Sequence, residues 1–119
     1  MFEVKVSAEF SAAHRLRGYK GKCEELHGHN WNAEVVIASG DLDKIGMVID
    51  FKKVKQALKA VLDRLDHKYL NGLAFFKKVN PTSENLAKYI YDSLKSQVAG
   101  LKSVIVWESE KACAAYYEE

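Results

Sequence analysis

Two stretches of this chain alternate between apolar and polar residues, and both run into histidine. Over residues 2–14, Phe2, Val4, Val6, Ala8, Phe10 and Ala12 share one phase, while Glu3, Lys5, Ser7, Glu9 and Ser11 share the other. Over residues 27–38, Trp31, Ala33, Val35 and Ile37 are again in phase. A period of two belongs to a strand with one face buried, so the chain is committed to a sheet that needs a cover.

The middle of the chain supplies that cover. Asp50 is placed as an N-cap, and Phe51, Val54, Leu58, Val61, Leu62 and Leu65 follow at helical spacing, closed by Asn71-Gly72. Asn80-Pro81-Thr82 opens a second helix, with Thr82 as cap, Glu84 in the first turn and a stripe of Leu86, Tyr89 or Ile90, Leu94 and Val98. Gly100 is its expected C-terminal stop. Val104-Ile105-Val106-Trp107 then reads as a buried strand, and 112–117 as a last strand after the Ser109-Glu110-Lys111 turn. Ser39-Gly40-Asp41 is a turn, and Arg15–Glu25, polar with Gly18 and Gly21, is an expected exposed loop. The order is ββ-αα-ββ. It predicts an α+β fold, an antiparallel four-stranded sheet with two helices on one face, as a single domain over 1–119.

Composition narrows the function. Lys plus Arg is 18 against 16 Asp plus Glu, a net charge of +2, which is too balanced for a general nucleic-acid binder. No apolar run approaches the roughly 20 residues of a membrane span, and no secretory leader is visible. With only Cys23 and Cys113 a disulfide framework is not expected, and a reducing cytoplasm is the expected compartment.

The histidines carry the chemistry. The apolar face of the first strand continues to His14, and that of the second extends back to His29 and His27. Residues two apart on a strand point to one side. Antiparallel pairing of the two strands therefore brings the three imidazoles to one rim of the sheet, as in a catalytic zinc site with an open fourth position. The bland alternative is a set of hydrogen-bonded structural histidines. Cys23, four residues before His27, is either a fourth ligand or a reactive thiolate beside the metal. Cys113, among alanines, reads as a buried small hydrophobe. Asp66-His67 is a candidate acid–base pair, or His67 a mere helix-dipole partner. Glu108 follows Val104 and Val106 in phase, so it either pairs with a lysine such as Lys111 or accepts a planar pair of ligand N–H groups. Arg15, Arg17, Lys20 and Lys22 form a basic run that is either solvated or holds a phosphorylated substrate.

Taken together, Phe10-Ser11-Ala12-Ala13-His14, Cys-x3-His-Gly-His at 23–29, Val48-Ile49-Asp50-Phe51, Leu65-Asp66-His67, Asn80-Pro81-Thr82-Ser83-Glu84 and Trp107-Glu108-Ser109 resemble the 6-pyruvoyl-tetrahydropterin synthase family, including its 6-carboxy-tetrahydropterin synthase branch. The resemblance implies the tunnelling fold, with zinc on His14, His27 and His29, Cys23 as base or proton shuttle, and Asp66 with His67 as the partner acid–base group. It also implies Glu108 on the aminopyrimidine edge of a pterin. The implied assembly is a homohexamer of two trimers with sites at subunit interfaces, where Asp66-His67 serves a neighbour's zinc. The implied substrate is 7,8-dihydroneopterin triphosphate, with Arg15, Lys20 and Lys22 as candidates for its phosphates. In the carboxy branch the products are 6-carboxy-5,6,7,8-tetrahydropterin, acetaldehyde and triphosphate, on the way to queuosine. The pyruvoyl branch eliminates triphosphate and keeps the side chain. Glu24, beside Cys23, resembles the glutamate of a folate-linked branch that cleaves the side chain to leave 6-hydroxymethyl-dihydropterin. A non-catalytic zinc module on the same fold is the remaining alternative.

Overall fold

The computed structural model describes residues 1–19 and 25–119. Lys20, Lys22, Cys23 and Glu24 lie outside the described residues. The elements are β1 (Phe2–His14), β2 (His27–Ser39), α1 (Phe51–Leu62), β3 (Lys68–Tyr69), α2 (Ser83–Leu94), β4 (Leu101–Ser109) and β5 (Ala112–Tyr116), with 3₁₀ turns at Leu70–Gly72 and Ala74–Lys77 between β3 and α2.

The sheet order is β3-β1-β2-β4-β5. Four of the strands are the expected antiparallel set. The fifth, β3, is a correction to the expected four-stranded sheet: it pairs parallel to β1, with Ala12 opposite Lys68 and Ala13 opposite Tyr69. Two residues are too few for alternation to show in a sequence, and this pairing exists only because the chain after α1 returns to the edge of β1.

β1 and β2 pair over their full lengths, from Phe2 opposite Ser39 to His14 opposite His27. The inward set of Val6, Phe10, Ala12, Trp31, Ala33, Val35, Ile37, Val104 and Val106 joins Val54, Leu58, Val61, Leu86, Ile90 and Leu94 of the helices in one core. Both helices therefore cover the same face. Their caps are those expected: Asp50 accepts from Lys52 N–H and Thr82 from Asn85 N–H. Leu65 and Val98 are buried as expected, although they lie past the helix ends, in the turns that follow.

Gly100 is not the cap of α2, which ends at Leu94. It sits at φ +77°, and a Cβ there would lie 2.7 Å from the Ala38 carbonyl oxygen. Only glycine allows that close pass, and its own carbonyl accepts from Ala38 N–H at 3.0 Å. Cys113 is a second correction: it is exposed. In β5, Ala114 and Tyr116 stand opposite the inward Val106 and Val104, so Cys113, opposite Trp107, faces away from the helices.

Candidate metal centre

The antiparallel pairing expected of β1 and β2 is observed, and it brings His14, His27 and His29 together. Their ring centroids are 4.5, 5.3 and 4.7 Å apart in the three pairs. Trp31 forms the floor, edge-on to His14 at 4.9 Å and to His29 at 5.2 Å, with its indole N–H given to Ala12 O. The ring stacks on Phe10 beneath. An apolar floor of this kind keeps water from one side of the imidazoles.

Backbone carbonyls set the tautomers. His14 Nδ1 donates to Pro81 O at 2.7 Å, and His27 Nδ1 donates to Glu25 O at 2.8 Å. A carbonyl oxygen only accepts, so each Nδ1 carries the proton and each Nε2 is bare in the neutral ring. Those two Nε2 atoms face each other at 3.0 Å. Two lone pairs at that distance repel unless a cation sits beside both.

His29 Nε2 is buried and has no hydrogen-bond partner among the described residues. It lies 2.9 Å from Glu108 Oε1, an ion-pair distance, but off the line that a hydrogen bond needs. Burial pushes His14 below the usual histidine value, partly opposed by the Pro81 contact, and burial likewise lowers His29 against the pull of Glu108. Desolvation therefore keeps these rings neutral, the form that ligates a metal.

Ligand atoms from His14, His27, His29 and Glu108 all lie within 4.8 Å of one another, so the four residues can hold a metal ion. Around a tetrahedral ion with nitrogens at about 2.0–2.1 Å, neighbouring ligands sit about 3.3 Å apart. The 3.0 Å gap between His14 and His27 is close to that. The imidazole-rich donor set, with each outer nitrogen of His14 and His27 held by a carbonyl, suits a borderline transition metal such as zinc.

Glu108 arrives by a bulge. Trp107 pairs with Cys113 and Ser109 with Ala112, so Glu108 is the extra residue on β4, and the bulge aims its side chain at His29. No ion pair joins it to Lys111 among the described residues. Alternation placed Glu108 on the inward face but gave no sign of this histidine contact.

Asp66 and His67 form a separate group. Asp66 Oδ1 accepts the Ser11 N–H at 2.9 Å, and Oδ2 lies 3.1 Å from His67 Nδ1. The Ser11 amide, first among the causes, holds the Asp66 carboxyl below its ordinary range. His67 adopts φ +58°, unusual for a residue with a Cβ, and its side chain is 82% exposed. Its backbone N–H donates to Ser11 O, which secures that conformation.

The expected solvated basic loop is only partly that. Arg15 is exposed. The Arg17 guanidinium is spent on protein acceptors: the carbonyls of Phe76, Lys77 and Val79 and the side chain of Asn80. It is a structural peg and has little left for a phosphate. Sequence reasoning did not find the Pro81 and Glu25 carbonyls, because every residue has a carbonyl and only the folded path selects one.

Comparison with known proteins decides the family. The family model described as 6-pyruvoyl tetrahydropterin synthase matches residues 3–119. The chain belongs to the 6-pyruvoyl tetrahydropterin synthase family. A Synechocystis sp. member of similar length, named 6-carboxy-5,6,7,8-tetrahydropterin synthase, is 40% identical over 98% of this chain and 94% of its own. A Pyrococcus furiosus protein named dihydroneopterin monophosphate aldolase is 37% identical over 87% of each chain. The solved 6-pyruvoyl tetrahydropterin synthase of Caenorhabditis elegans superposes with a TM-score of 0.89 at 35% identity, covering 99% of this chain and 96% of that one. The family fold is thus the tunnelling fold expected from the motifs.

Proposed function

We propose that the chain is a zinc-dependent lyase that converts 7,8-dihydroneopterin triphosphate to 6-carboxy-5,6,7,8-tetrahydropterin, releasing acetaldehyde and triphosphate in the cytoplasm on a route to queuosine. The observation that carries this reading is the convergence of the His14, His27 and His29 ring nitrogens at one rim, with His29 Nε2 buried and unpartnered among the described residues, in a chain whose relatives include named 6-carboxy-tetrahydropterin synthases. When bound, zinc supplies Lewis acidity toward the oxygens of the substrate side chain.

The chain's own groups do the rest. Cys23 takes and returns protons at the side-chain carbons. Asp66, kept anionic by Ser11, orients the His67 ring for proton transfer. Glu108 accepts N–H groups from the aminopyrimidine edge with the oxygen that does not face His29. The high exposure of His67 supports a role for that pair at a neighbouring subunit's site. The open edges support assembly into a homohexamer: among the described residues β5 has no outer neighbour, and β3 covers only Ala12 and Ala13 of β1. Incubation of the zinc-loaded protein with dihydroneopterin triphosphate is expected to yield acetaldehyde and the 6-carboxy product. Retention of the three-carbon side chain as a pyruvoyl group would move the assignment to the pyruvoyl branch.

A second reading rests on the Pyrococcus furiosus relative and on Glu24 beside Cys23. It is cleavage of the dihydroneopterin side chain to 6-hydroxymethyl-dihydropterin, with Glu24 as base. Glycolaldehyde phosphate or a related fragment would mark it, and Glu24→Ala should suppress that product while sparing acetaldehyde.

A further inference from the structure

The last stretch of the outer edge of β1 and the residues just after it, from Ser11 to Arg17, are held by side chains and backbone of the segment between α1 and α2. At Ser11 the Asp66 carboxylate takes the backbone N–H, and the His67 N–H meets the carbonyl. At Ala12 and Ala13 the two residues of β3 pair with the strand. Beyond His14 there is no strand partner on that side among the described residues, and two asparagines take over. Asn71 Oδ1 accepts from Arg15 N–H and its Nδ2 donates to Arg15 O, both at 2.9 Å. Asn80 does the same for Arg17, at 3.0 and 2.9 Å.

A primary amide that accepts from one residue's N–H and donates to the same residue's C=O replaces a neighbouring strand at that residue. Arg15 and Arg17 lie just past the end of β1, and each has both backbone groups taken by one asparagine amide. Asn80 is fixed in turn: its carbonyl accepts from Asn85 Nδ2 at 2.9 Å, and Arg17 is pegged into the carbonyls of Phe76, Lys77 and Val79. The next residue, Pro81, holds His14 Nδ1. The backbone on the far side of His14 and the carbonyl that orients its ring are thus tied to one another through Asn80.

We infer that Asn71 and Asn80 are positioning residues for the metal centre, clamping Arg15 and Arg17 so that the Pro81 carbonyl holds His14 Nε2 at the rim. The inference rests on the metal-binding reading of His14, His27 and His29. It goes beyond it in assigning to two uncharged side chains, neither of them among the candidate metal ligands, the job of setting a ligand's orientation. Outer groups that orient a ligating histidine commonly change metal affinity by about 10–100-fold when removed.

The test uses metal-free protein titrated with Co²⁺ against a chromophoric chelator, at a temperature where melting curves show each metal-free variant folded. Asn80→Ala is expected to bind Co²⁺ about 10–100-fold more weakly than wild type and to shift its visible bands. Asn71→Ala, one step further from Pro81, should show a smaller loss of the same kind. Wild-type affinity and an unchanged Co²⁺ spectrum in both folded variants would overturn the inference. So would loss of the folded metal-free state in both, which would assign the amides to folding alone. A wild-type protein that binds no Co²⁺, or binds it equally well as His29→Ala, would instead sink the metal reading itself.

Discussion

This chain uses its histidines in two opposite ways. At the rim, His14 and His29 are desolvated below the ordinary histidine value, the outer nitrogens of His14 and His27 are occupied by carbonyls, their inner nitrogens face each other at 3.0 Å, and His29 Nε2 is buried with no hydrogen-bond partner among the described residues. At the edge of β1, His67 is exposed and paired with a carboxylate that a backbone amide keeps anionic. The first group is unsatisfied until a cation joins it. The second is satisfied within the chain and open to solvent, as the proposed acid–base role requires. A ligand must be neutral and held still, whereas an acid–base group must be reachable and able to change charge. Burial serves one and exposure the other.

The largest effect should come from breaking the rim. His29→Ala removes one nitrogen of three and should abolish stoichiometric zinc, measured by elemental analysis. Loss of several kcal/mol of Lewis-acid stabilisation lowers turnover on the order of 10³-fold. Breaking the edge pair should leave the metal in place. His67→Asn removes the imidazole but tolerates the positive φ, so turnover should drop by about 10²-fold, the lower end of an acid–base contribution, with zinc content unchanged. Zinc loss in that variant would show that the two groups are not separate. Cys23→Ala should behave like His67→Asn, with metal kept and turnover lost. Full activity in it would remove Cys23 from the mechanism.

A smaller effect separates the two groups by pH. The folded His14 and His29 take up protons only below the usual value, so metal at the rim should be retained to a lower pH than free imidazole would allow. In the metal-free protein the sign is the same. Unfolded rings protonate near 6.5 while the folded His14 and His29 do not, so their contribution to stability is complete above that pH. It is lost as pH falls through their lowered values. Metal release and melting temperature followed from pH 8 to about 4.5 would check both. The Asp66 contribution should persist further, being lost only as pH falls through a carboxyl value already below the ordinary one of 3.8. The smallest effect expected is at Glu108: Glu108→Gln removes a charge beside His29 and should raise KM for the pterin while lowering metal affinity only modestly.

Much of this was legible in the chain's order of residues. Alternation over β1 and β2 determined which side chains face inward, and once the two strands pair from Phe2 opposite Ser39 the three histidines must share a rim. Periodicity and capping residues located α1 and α2 for the same reason: each signal repeats within a few residues, so local spacing carries it. What tertiary structure alone decided has no such period. The two residues of β3, the bulge that turns Glu108 onto His29, the exposure of Cys113 on an outer strand and the withdrawal of Arg17 into a nest of carbonyls each depend on where a distant segment passes. The carbonyl of Pro81 meets His14 across 67 positions of sequence. Side-chain identity tells which groups can ligate or titrate, but the choice among many equivalent backbone carbonyls and edges is made only when the chain closes on itself.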